Sequence, residues 1–179
     1  LVLGGKAVMA HVGDSRLYLL RQGQLFQMSD DHTFLAEAVK HGVLNEAQAA
    51  DSSHRHMVTR AVGPYANVNV DVLVFDVLPG DTMLLCSDGL HQYTPNALEL
   101  VQLLSGDTPQ ATPNKLVQLA NQRGGVDNIT AVLIRASLEK ETSTADSKRA
   151  GEVQAQFDAM RNIELFREMT MPELARILH

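Results

Sequence analysis

Short apolar runs, each broken by glycine or aspartate, constrain this chain more than any other feature. Ala7 to Val12 stops at Gly13-Asp14-Ser15, Leu17 to Leu20 is followed by Gln22-Gly23-Gln24, and Leu25 to Met28 closes the series. Further on, the two runs of VNVDVLVFDVLPGDTMLLCS are separated by Pro79-Gly80-Asp81, and NITAVLIRA supplies a last β-branched run. Runs this short, bounded by turn residues, predict strands rather than helices. The first three read as a β-meander with a tight hairpin at Gly23.

Helical spacing appears between the strand runs. HTFLAEAVKHGVL places Leu35, Ala38 and Val39 on one face and ends at Gly42. NEAQAADSSHRHMVT predicts a short helix capped by Asn45 and then a polar loop. Thr94-Pro95 and Thr112-Pro113 predict N-caps of two helices, the second ending at Gly124. The expected fold class is α+β, a layered β-sandwich with flanking helices. Residues 1–136 form its main part, and the polar stretch 137–151 reads as a linker. Residues 152–179 resume helical periodicity, with Met171-Pro172-Glu173 opening a helix behind Thr170, and are too few to form a core alone. The chain opens at Leu1 within core-like sequence, which predicts a cut through a larger protein.

The 179 residues carry a net charge of −6, so an electrostatic grip on nucleic acid is not expected. No apolar run reaches the length that spans a bilayer, and LVLGGKAVMA lacks the basic and long apolar regions of a secretion signal. The single cysteine, Cys86, excludes an internal disulfide and suits a reducing cytoplasm. It reads as a small core residue.

Three aspartates stand at strand ends: Asp14 in VGDSR, Asp88 in CSDG and Asp127 in GGVDNIT. Hard divalent cations such as Mg²⁺ or Mn²⁺ take carboxylate oxygens from rigid elements and water elsewhere. Gly13, Gly89, Gly124 and Gly125 beside them are expected to leave space for an ion. Each Asp alone reads as a turn or cap residue rather than as a ligand. Ser15 and Ser87 lack a His-Asp relay and read as turn-bonding hydroxyls. Arg16 and Arg60 are expected to pair with acidic loops, and His54 and His56 in HRH read as loop histidines because no zinc motif accompanies them.

Together, AHVGDSRLYLLRQGQLFQMSDDHT, HRHMVTRAVG, LPGDTMLLCSDGLHQY and GGVDNITAVLI resemble, in order and spacing, the successive motifs of the metal-dependent protein phosphatases of type 2C. The resemblance covers roughly residues 1–136, taken as the C-terminal part of such a domain, and HGVLNEAQAADSSHRH is similar to the flap of the bacterial branch. It implies hydrolysis of phosphoserine and phosphothreonine by a metal-activated water, with no phosphoenzyme. Two core Mg²⁺ or Mn²⁺ ions and a third, weaker one are implied. Asp88 and Asp127 would ligate one core ion, Asp14 would associate with the third, and Gly89 and Asn128 would support them, with Thr130 joining Asn128 in orienting the loop. His32 in DDHT matches a family position and is expected to organise the turn after the hairpin. Family members also draw ligands from an N-terminal half, none of which precedes Leu1, so the site is expected to be incomplete.

The partners implied are a phosphoprotein substrate and a serine/threonine kinase or its targets, in a cytoplasmic signalling role. The alternative reading is a type 2C-like domain without catalysis, serving as a regulator or scaffold. NIELFREMTMPELARIL is similar to the opening helices of cyclic-nucleotide-binding domains, which implies cyclic-nucleotide regulation of the longer protein.

Overall fold

The structure is a computed structural model of the 179-residue chain that describes residues 1–45, 48, 57–106, 109–137 and 144–178. Seven strands form two antiparallel sheets among these residues. Sheet A has the order β1 (Val2–Leu3), β2 (Lys6–His11), β5 (Asp71–Asp76). Sheet B has the order β4 (Gln24–Gln27), β3 (Arg16–Arg21), β6 (Thr82–Cys86), β7 (Ala131–Arg135). The layered α+β architecture is therefore as the sequence predicts.

The meander expectation is corrected. Of the three runs, only the last two, β3 and β4, form a hairpin, turning at Gln22 and Gly23 with φ of 51° and 77°. Two consecutive positive φ values are what a two-residue turn needs to follow the twist of its strands. β2 crosses to sheet A and pairs with β5 instead, Val8 opposite Val74. The Pro79-Gly80-Asp81 turn likewise joins strands of different sheets. Asp81 is buried there: its carboxylate accepts the Leu78 amide at 2.8 Å and pairs with Arg21 at 2.7 Å.

Alternation along the strands sorts the core into two layers. Leu17, Leu19 and Met83 point to one face of sheet B and join Ala7, Leu73 and Phe75 of sheet A. Tyr18, Leu20, Leu84 and Cys86 point to the other face. That second face is covered by α2 (Asp88–His91), α3 (Ala97–Leu104) and α4 (Thr112–Gln122) through Leu90, Leu100, Leu104, Leu116 and Ala120. α1 (Phe34–Lys40) is capped by Thr33, whose hydroxyl accepts the Ala36 amide, and ends before Gly42 at φ 70°.

Two helix starts differ from expectation. Asn96, not Thr94, caps α3 by accepting the Leu98 and Glu99 amides. Asn96 immediately precedes the first turn, so its Oδ1 reaches both orphan N–H groups, while the Thr94 hydroxyl, at 3.3 Å from the Leu90 carbonyl, closes the preceding turn. Thr112 is the first residue of α4 rather than its cap. The helix predicted after Asn45 lies largely outside the described residues, as do His54 and His56.

The polar stretch expected as a linker is helical from Thr144 onward, within α5 (Thr144–Arg161). A single helical turn, Glu164–Phe166, then leads to α6 (Met171–Leu178). Thr170 opens α6 with both its amide and its hydroxyl on the Glu173 carboxylate. These elements do not stand apart from residues 1–136. Val153, Phe157, Met171, Leu174 and Ala175 are buried in the same core as Leu19 and Phe75. Polar contacts fix the seam: Arg149 bonds Asp76 at 2.7 Å and the Gly5 carbonyl at 3.1 Å, and Arg21 lies over the Phe157 ring at 5.7 Å.

Candidate metal-binding edge

Strand register brings the three predicted aspartates to one edge of sheet B. Antiparallel pairing sets Arg16 opposite Cys86 and Cys86 opposite Ala131. The start of β3, the end of β6 and the start of β7 therefore lie side by side. Asp14 precedes the first, Asp88 follows the second and Asp127 precedes the third.

Ser87 ties the Asp88 and Asp127 loops together. Its hydroxyl accepts the Thr130 amide and donates to the Asn128 carbonyl, both at 3.0 Å, while its own amide reaches the Thr130 carbonyl at 3.2 Å. The hydroxyl is thus a loop fastener, as the turn-bonding reading predicts. Asp88 accepts the Gly89 amide at 2.8 Å, and Asp127 accepts the Asn128 amide at 2.6 Å. Each bond restrains one carboxylate oxygen and leaves acceptor capacity for a ligand. Asn128 contributes through its backbone.

Three of the four glycines do something other than expected. A Cβ on Gly89 would sit 2.4 Å from the Asn128 carbonyl oxygen and 3.4 Å from the Asp127 Cβ. The missing side chain makes room for the neighbouring loop, not for an ion. Gly124 packs against Tyr93 and Gly125 against Asn121 in the same way. Gly13 has open space around it, and its φ of 107° is what calls for glycine.

Asp14 is held through its backbone. His91, in the same short helix as Asp88, donates from Nε2 to the Asp14 carbonyl at 3.0 Å. Burial, and then the Arg16 guanidinium, hold the His91 pKa below its ordinary value. Sequence reasoning missed His91; its position one turn beyond Asp88 was the available signal. Arg16 pairs with Asp31 at 2.7 Å, an acidic loop as expected, whereas Arg60 pairs at 2.7 Å with Asp71, the first residue of strand β5. Cys86 is buried and its thiol is pushed up to about 12 by that burial, which makes it inert.

Among the described residues, no three His, Cys, Asp or Glu side chains converge to hold an ion together. Ser87 brings together the loops that carry Asp88 and Asp127, and a hard divalent cation accepts one or two carboxylates and completes its shell with water.

No family model matches the chain. It is 36% identical over 134 residues to the serine/threonine phosphatase stp of Listeria innocua, covering 74% of this chain and 53% of that protein. The solved serine/threonine phosphatase of S. agalactiae superposes with a TM-score of 0.72 at 34% identity, over 76% of this chain and 56% of the other. The catalytic domain of the serine/threonine protein phosphatase PstP, solved in complex with two manganese ions, matches with a TM-score of 0.63 at 31% identity, over 74% of this chain and 54% of that one. The chain spans about half the length of the curated relatives it matches. Over about three quarters of its own length, it is homologous to the bacterial serine/threonine phosphatases of type 2C and carries their fold in part.

Proposed function

We propose that the protein is a metal-dependent serine/threonine phosphoprotein phosphatase and that this chain supplies part of its site. The observation that carries the reading is the convergence of the Asp88 and Asp127 loops, fastened by Ser87, on a fold shared with serine/threonine phosphatases. Asp88 and Asp127 would hold a core Mg²⁺ or Mn²⁺ ion, and Asp14, at the same edge, would serve a third. When bound, such an ion acidifies water and offsets charge on the phosphate oxygens. The chain's own residues supply rigidity. Backbone amides of Gly89 and Asn128 orient the two carboxylates, so little ordering remains to be done when the ion enters.

Phosphoprotein substrates, products of a serine/threonine kinase, and a cytoplasmic signalling role belong to the same proposal. So does the division of the chain into a phosphatase part, 1–136, and a regulatory segment from 152 that leads toward a cyclic-nucleotide-responsive unit. The capped helix α6 supports only the helical character of that segment. Among the described residues, no helix is long and apolar enough to cross a membrane. The test is phosphate release from a phosphothreonine peptide by the protein after chelation and after Mn²⁺ is restored. Release that returns only with the ion supports the proposal, and release unaffected by the chelator contradicts it.

A further inference from the structure

His32 makes four hydrogen bonds that join three separate segments. Its amide donates to the Gly13 carbonyl at 2.9 Å, and its Nδ1 accepts the Gly13 amide at 3.1 Å. Its carbonyl accepts the Thr59 amide at 2.8 Å. Its Nε2 meets the Asp71 carboxylate at 3.0 Å, and the other Asp71 oxygen takes Arg60 at 2.7 Å. The ring is 1% exposed. An Nδ1 that accepts an amide hydrogen cannot carry a proton, so the imidazole is the Nε2–H tautomer and donates to Asp71.

The segments joined are the Gly13-Asp14 turn, the stretch 57–60 and the start of β5 at Asp71. The second is stitched to residues 32–34 by a Thr33–Val58 bridge and by the Phe34 amide on the Met57 carbonyl at 2.9 Å. Gly13 is thereby gripped at both its N–H and its C=O by one residue, at the peptide that precedes Asp14. A further anchor of that turn is His91 on the Asp14 carbonyl.

We propose that His32 is a positioning residue: it locks the Asp14 turn to the 57–60 segment through its Nδ1 acceptor and its Asp71-oriented Nε2–H. The assignment of Asp14 to an ion rests on the phosphatase reading; the lock itself does not. Loosening the lock leaves Asp14 in the chain but lets its carboxylate wander, which weakens the Asp14-associated ion. Outer-shell partners of metal ligands typically matter by about 10–100-fold in affinity.

Two conservative variants separate the roles of the ring nitrogens. The Asn amide oxygen in His32→Asn can replace the Nδ1 acceptor, while the Gln amide nitrogen in His32→Gln can replace the Nε2 donor. The experiment measures hydrogen exchange of the Gly13 amide and Mn²⁺ binding by paramagnetic broadening in the parent, both variants and Asp71→Asn. The expected result is near-parent protection of Gly13 in His32→Asn, with protection lost about tenfold or more in His32→Gln and partly lost in Asp71→Asn. Mn²⁺ binding near Asp14 should weaken in the same order. Equal loss in the Asn and Gln variants, or parent-like protection in both, would overturn the lock. A parent that binds no Mn²⁺ while the exchange order holds would overturn the metal reading and leave the lock standing.

Discussion

Asp71 is a residue whose charge state reports on the site's scaffold. Burial pushes its carboxyl upward, but hydrogen bonds from His32 and Arg60 outweigh it and bring the pKa down to about 2. In the unfolded chain the group reverts to about 3.9. As pH falls through that interval the unfolded state binds the proton first, so stability contributed by Asp71 is complete above about pH 4 and is lost toward pH 2. Asp71→Asn should remove that limb of the stability–pH curve and cost about 1–3 kcal/mol near neutrality, the usual worth of hydrogen bonds to a charged group. Urea titrations of parent and variant from pH 7 downward measure both. Gly89→Ala tests the loop contact at the same scale: a methyl placed 2.4 Å from the Asn128 oxygen should cost about 1–3 kcal/mol and push the two aspartates apart.

At the scale of elements, strand ends were legible and sheet membership was not. VGDSR, CSDG and GGVDN each mark a strand end in the sequence, and pairing places all three at one edge. Whether β2 pairs with β3 or with β5 depends on which sheet closes over which, a nonlocal choice that turn chemistry does not encode. Glycine roles were misread for a related reason. The sequence shows that a side chain is absent at 89 but not that the Asn128 carbonyl fills the space. Helix caps failed by one or two residues: Asn96 takes the amides expected for Thr94, and Thr112 lies inside its helix, which starts one residue early. The α5 helix was hidden by composition, because 137–151 carries few large apolar groups and its buried residues, Val153 and Phe157, lie beyond it. Phe157→Ala should cost about 3–5 kcal/mol, whereas Leu165→Ala, at a position 79% exposed, should shift stability by no more than about 0.5 kcal/mol. Thermal melts of the two variants check the contrast.

For the whole molecule, the tail and the sandwich share one core. Leu174 is fully buried, and Met171 and Ala175 sit with Leu73 and Phe75. A buried ion pair, Arg21 with Asp81, ties β3 to the turn before β6, and a partly buried one, Arg149 with Asp76, crosses the seam. Removing Arg21 would leave the Asp81 carboxylate buried without its ion-pair partner, which is more damaging than loss of the pair as a unit. The protein should therefore unfold in one cooperative transition that includes α5 and α6. Exchange protection of amides in α6 that vanishes well before the strand amides would contradict this.

On the proposed reading, Asp88 and Asp127 hold a divalent ion on which phosphate release depends. The most direct measurement is the Mn²⁺ dependence of phosphothreonine-peptide hydrolysis by the protein, set against Asp88→Asn and Asp127→Asn variants whose fold is verified by circular dichroism. Loss of more than about 100-fold in both folded variants is predicted, since each removes a direct ligand rather than its support. Parent-like, Mn²⁺-dependent release in either folded variant would contradict the claim.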